Sequence, residues 1–202
     1  MYNFTVPMAL ADFIPVLLFG AAAVLLLRDL KMGKTACALF SAGVIDVFCA
    51  GFLKALWKLL YAAGICDFAA LNSMFLPVQS IGFALAGLGI LLFLCGKTKN
   101  AALAVAPPVF SGSFVFILMM VLGLGCLCAC LSVIAAKMKK IPAVILFVLA
   151  FLFSMGMGAM SRQDSTAAVV NWIEQGINTA SQACLLGGVA ILHRAGLKEA
   201  AL

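Results

Sequence analysis

Three carboxylates fall inside long apolar runs of this sequence: Asp46, Glu174 and Asp12. An ionisable group in hydrocarbon costs about 2.5–3.5 kcal/mol on insertion scales, so a chain that keeps one has a use for it. At 1.5 Å per residue, Asp46 lies roughly 20 Å into its run, past the middle of a ~30 Å hydrocarbon layer. Glu174 lies on the order of 10 Å into its own run by the same measure. Asp12 sits close to a helix start, where the macrodipole also favours a negative charge. A carboxylate at such depth can hold a proton and a cation in turn, which is the minimal device for coupling one movement to another.

Glu174 belongs to a stripe. At 100° per residue, Asn171, Glu174, Asn178 and Ser181 fall within roughly 80° of one another, with Gln182 at the edge. Lipid offers these groups no hydrogen bonds, so the stripe must face other helices or water. A hydrogen-bonded seam between helices would satisfy the amides and the hydroxyl. The carboxylate favours a cavity wall instead. Gln79 adds a polar lining position on another run. Pro15 leaves the Ala11 carbonyl without its helical donor, beside Asp12, and Pro77 does the same at Ser73. Such carbonyls can serve a proton or cation site.

The candidate ion- and substrate-binding residues are therefore Asp46, Glu174, Asp12, Asn171, Asn178, Gln79 and Gln182. Lys54 and Lys58, one turn apart, read as side chains snorkelling to lipid headgroups. Cys126, Cys128 and Cys130, the lone His193 and the methionines 155, 157 and 160 have no recognisable metal-ligand spacing. No metal or other cofactor is expected. The cysteines read as small hydrophobes without a disulfide framework. No catalytic dyad, zinc-hydrolase motif or phosphate loop is present in the sequence, and a non-enzyme is expected.

The elements that position these residues follow from composition. The chain has 202 residues, 66% hydrophobic and 10% charged, with a mean hydropathy of +1.22. Soluble domains are nearer 45–50% apolar and about 25% charged. Such a composition excludes a soluble enzyme, a nucleic-acid binder and a disordered tail. The net charge of +6 sits between apolar runs, where basic residues anchor loops at headgroups. The N-terminus has no basic residue before its first apolar run, so that run is expected to be a retained helix and not a signal peptide.

Spans of about 20 apolar residues fall at 8–28, 34–62, 72–95, 110–136, 141–160 and 167–192. The expected fold is an all-α integral membrane protein with six transmembrane helices in a single transmembrane domain, 1–202. The runs do not alternate with period two, which excludes a β-barrel. Residues 101–110 are too short to span and read as interfacial, with Pro107 and Pro108 starting the fourth helix.

Offset by 99, the third run pairs with the sixth: Asn72 with Asn171, Gln79 with Asn178, Ser80 with Thr179 and Gly89 with Gly188. Two three-helix repeats, 8–96 and 110–193, would be inverted in the membrane if every connection reverses direction. Both termini would then share one face. Arg28, Lys31, Lys34, Lys97, Lys99 and Arg162 would lie on the other face, against Lys137, Lys139, Lys140, Arg194 and Lys198, with Lys54 and Lys58, on the terminal face; the near balance is decided by the short loop after the first helix, which places the termini outside.

The expected function is a small multi-pass transporter or channel. It would move a cation or a proton-coupled polar compound along a path lined by buried acids. The alternative is a substrate-binding membrane subunit of a larger transport complex. The expected partners are the lipid bilayer, a small-molecule or ion substrate, and a partner subunit or second copy of the chain; nucleic acid is excluded. The expected location is a bacterial-type cell membrane.

Overall fold

The protein is described by a computed structural model covering residues 4–96, 113–160 and 168–200. The described residues contain no strand. The helices are α1 (Val6–Ala11), α2 (Phe13–Asp29), α3 (Lys34–Ala62), α4 (Ala69–Ser73), α5 (Phe75–Cys95), α6 (Ser113–Lys137), α7 (Ile141–Met160) and α8 (Ala168–Arg194), followed by a 3₁₀ turn at Leu197–Glu199. Each of the six expected runs contains one long helix. Four helical segments are long and apolar enough to cross a membrane: Val6–Asp29, Lys34–Ala62, Ala69–Cys95 and Phe114–Lys137. Ile141–Met157 is a shorter apolar helix.

The two prolines explain two breaks. Pro15 and Pro77 each stand third in a helix that follows a one-residue interruption, at Asp12 and at Met74. A proline in the first turn costs the helix no donor it could have used, but the preceding turn loses its continuation. Both breaks carry the sequence Phe-x-Pro-Val, at 13–16 and 75–78. α3 ends on Gly64, whose φ of 68° lets the Ile65 amide reach back to the Leu60 carbonyl at 3.0 Å.

The six long helices close a ring in chain order: α2 packs on α3, α3 on α5, α5 on α6, α6 on α7, α7 on α8, and α8 on α2. Glycine sets the closest approaches. A Cβ at Gly82 would stand 2.8 Å from the Gly43 carbonyl oxygen, and one at Gly87 would stand 2.6 Å from the Gly123 carbonyl oxygen. Backbones at this distance gain dispersion that larger side chains would forbid.

Helix direction corrects the expected topology. Gly123 faces Phe83 and Ala84, while the Cys126 thiol donates to the Gly87 carbonyl at 3.4 Å, so α5 and α6 run the same way. α8 runs parallel to α2: Gln175 meets Ala11 near their beginnings, and His193 meets Asp29 at their ends. The triplets α2–α3–α5 and α6–α7–α8 therefore have the same sense, not inverted ones. Phe4 meets Trp57 and Tyr61 edge-to-face at one end of the bundle. Leu197 is buried in the core cluster with Leu30 at the other end, so the two termini do not share an end. The expectation assumed that the connection after α5 returns on one face. Cys95 at the end of α5 and Ser113 at the start of α6 instead stand at opposite ends of the bundle; the stretch 101–110 lies outside the described residues.

The interior is divided. Towards the ends of α2, α5, α6 and α8 it is packed with Phe40, Ile90, Leu127, Leu131, Ile134, Phe147, Val189 and Leu192, all fully or almost fully buried. Towards their beginnings it is polar. The outside carries Leu17, Val24, Ile45, Phe114, Leu122, Ile145, Leu152, Trp172 and Ile173, all exposed. An apolar exterior this extensive is the surface of a protein solvated by lipid.

Candidate functional site

A cavity of about 740 Å³, counting the open space at its mouth, occupies the polar half of the bundle. α8 supplies Asn171, Glu174, Gln175, Asn178 and Gln182; α3 supplies Val47, Lys54 and Lys58; α5 supplies Phe75, Gln79 and Phe83; α2 supplies Pro15 and Phe19; Asp12 stands at the break before α2. The stripe on α8 thus turns inward. Its opposite face, with Val169, Trp172 and Ile173, is exposed, an arrangement suited to lipid outside and water inside.

Six of the seven candidate residues line this one cavity: Asp12, Gln79, Asn171, Glu174, Asn178 and Gln182. Asp46 does not. It lies partly exposed on the outer side of α3 between exposed Ile45 and Cys49, while Gly43, Val47 and Ala50 face the neighbouring helices. Depth along a run says nothing about direction around it, and Asp46 points away from the ring. Asp46→Asn is therefore expected to leave solute uptake in liposomes unchanged; loss of uptake would restore Asp46 to the path.

Ser181 also leaves the site. Its hydroxyl donates to the Ala150 carbonyl at 2.7 Å and shares a 2.7 Å hydrogen bond with Ser154, so it is a seam between α7 and α8. The Ala11 carbonyl freed by Pro15 accepts from Gln175 Nε2 at 2.5 Å. A side-chain amide on α8 thus takes the place assigned to an ion.

The two lysines are the larger correction. Lys58 Nζ lies 2.6 Å from Asp12 Oδ2, with both side chains largely buried. Lys54 Nζ stands 3.9 Å above the Phe75 ring, a cation–π contact. Neither snorkels to headgroups. Lys54, Lys58 and Gly51 continue the inward face that begins with Gly43 and Val47, and that spacing of three and four was the readable signal. The cavity therefore holds two carboxylates and two ammonium groups. Asp12 and Lys58 satisfy each other. Glu174 Oε1 and Gln182 Oε1 are buried without a hydrogen-bond donor among the described residues.

A second polar cluster lies at the other end of the α2–α8 contact. Asp29, 2% exposed, accepts from Arg28 Nε at 3.2 Å and lies 2.6 Å from His193 Nδ1. It pins the far ends of these helices above the apolar core. Among the described residues no group of His, Cys, Asp and Glu could hold a metal ion. Comparison with protein-family models, with curated proteins and with solved structures finds no match for this chain.

Proposed function

We propose that the chain is a small multi-pass membrane transporter whose central cavity takes up a small polar solute. One observation carries the reading: a cavity with charged, amide and aromatic walls lies inside a ring of apolar-faced helices and ends at a tightly packed apolar half. In this reading all six long helices cross a bacterial-type cell membrane. α8 falls short of the others in hydropathy because its polar side serves the cavity.

Gln79 and Asn178, paired by the offset of 99, both line the cavity. This supports two repeats related by an axis along the bundle, a parallel arrangement also used by transporters.

The preference for a simple cation rested on acids alone. With Lys54 and Lys58 in the same cavity, the charges balance and a polar compound is favoured. Glu174 is the group proposed to carry a coupled proton or cation. Transport requires the apolar half to part, and the Arg28–Asp29–His193 cluster sits where α2 and α8 would separate.

The cavity reaches only one half of the bundle, which also suits a capture subunit driven by a partner. Liposomes containing the purified chain should accumulate radiolabelled solutes from an amino-acid mixture above protein-free liposomes, and Glu174→Gln should lose this uptake. Binding without uptake would favour the capture subunit; neither binding nor uptake would overturn both.

A further inference from the structure

The charges in the cavity are not equally spoken for. Asp12 and Lys58 form a close buried pair. Lys54 has an aromatic ring beneath it and, among the described residues, no carboxylate within 4.0 Å. Glu174, on the facing wall, keeps a buried oxygen without a donor. Both groups line the same space, and Lys54 is within electrostatic reach of Glu174. Opposite charges held on α3 and α8 without closing on each other are poorly solvated and still open to a partner.

We infer that the ligand of this cavity is an amino-acid-like zwitterion with an apolar body, its ammonium on Glu174 and its carboxylate on Lys54. The inference deepens the transporter reading and rests on it for the cavity being a substrate site. A simple cation would satisfy Glu174 but meet Lys54 as a like charge. A simple anion would have the reverse difficulty. A zwitterion meets both. Phe19 and Phe83, both almost fully buried in the cavity lining, offer its body an apolar surface. Gln182 Oε1 provides a further acceptor for a donor on the same molecule. Phe75 holds the Lys54 ammonium in place, which removes part of the cost of ordering it on binding.

Three compounds of one skeleton test this: phenylalanine as zwitterion, phenethylamine as cation and 3-phenylpropionate as anion. Their binding to the purified full chain in detergent is read by thermal stabilisation and by isothermal titration. Phenylalanine is expected to bind about tenfold or more tightly than either analogue, because each analogue leaves one buried charge unmatched. Lys54→Met should lose the preference for phenylalanine over phenethylamine, and Glu174→Gln should lose the preference over 3-phenylpropionate.

Equal or tighter binding of either analogue to the native chain overturns the inference, as does no binding by any of the three. If a variant fails to fold, the ranking on the native chain still decides. Phenylalanine binding without uptake into liposomes would sink the transporter reading and leave the ligand class standing. Uptake of solutes with no preference for the zwitterion would do the opposite.

Discussion

Cysteines placed at Lys31 and at Lys140 in a cysteine-free background are expected to react with an impermeant maleimide from the same side of the membrane. A cysteine at position 66 should react only from the opposite side. Lys31 follows α2 and Lys140 follows α6, and both residues are exposed. α2 and α8 are parallel; α7 and α8 are antiparallel, since Ser154 meets Ser181 while Leu146 faces Gly187; and α6 runs back along α7, so α2 and α6 end together. Cys66 lies exposed beyond the end of α3, at the cavity end. A chain whose six helices simply alternate would label Lys31 and Lys140 from opposite sides. The outcome is all-or-none, and labelling from opposite sides would reject the parallel packing of α5 and α6.

The second large effect concerns the buried pair. Lys58→Met is expected to destabilise the protein by about 3–5 kcal/mol, because it leaves the Asp12 carboxylate buried and unpaired. The double variant Asp12→Asn with Lys58→Met should recover most of that loss, since two neutral groups of similar size carry no uncompensated charge. Denaturation in detergent, followed by helical circular dichroism, gives all the values required. An additive double variant would mean that the 2.6 Å contact contributes nothing and that the lysine packs only through its stem. Lys54→Met serves as the comparison. Its ammonium rests on a ring and not on a carboxylate, so its removal strands no partner and should cost clearly less.

The positions of the long helices were legible in the sequence because apolar length is a local property, set by the thickness of hydrocarbon and the rise of a helix. The run expected at 34–62 is α3 at Lys34–Ala62, and the run at 141–160 is α7 at Ile141–Met160. The inward stripe of α8 was legible for the same kind of reason: Asn171, Glu174, Asn178 and Gln182 recur at helical spacing and have only one face that can avoid lipid, whereas the turn of Ser181 into the α7–α8 seam and the inward place of Gln175 were not legible. What the sequence could not supply was the relation between elements. Whether α6 runs against α5 or alongside it depends on the glycine contacts of Gly87 with Gly123, which no single run contains. Whether a charge on a long helix faces lipid, a seam or the cavity depends on how that helix is rotated against its neighbours. Asp46 and Lys58 are both charged residues of α3. The ring turns Lys58 onto Asp12 and leaves Asp46 outside, because Gly43, Val47 and Gly51 give α3 the side on which α5 and α2 can pack closely.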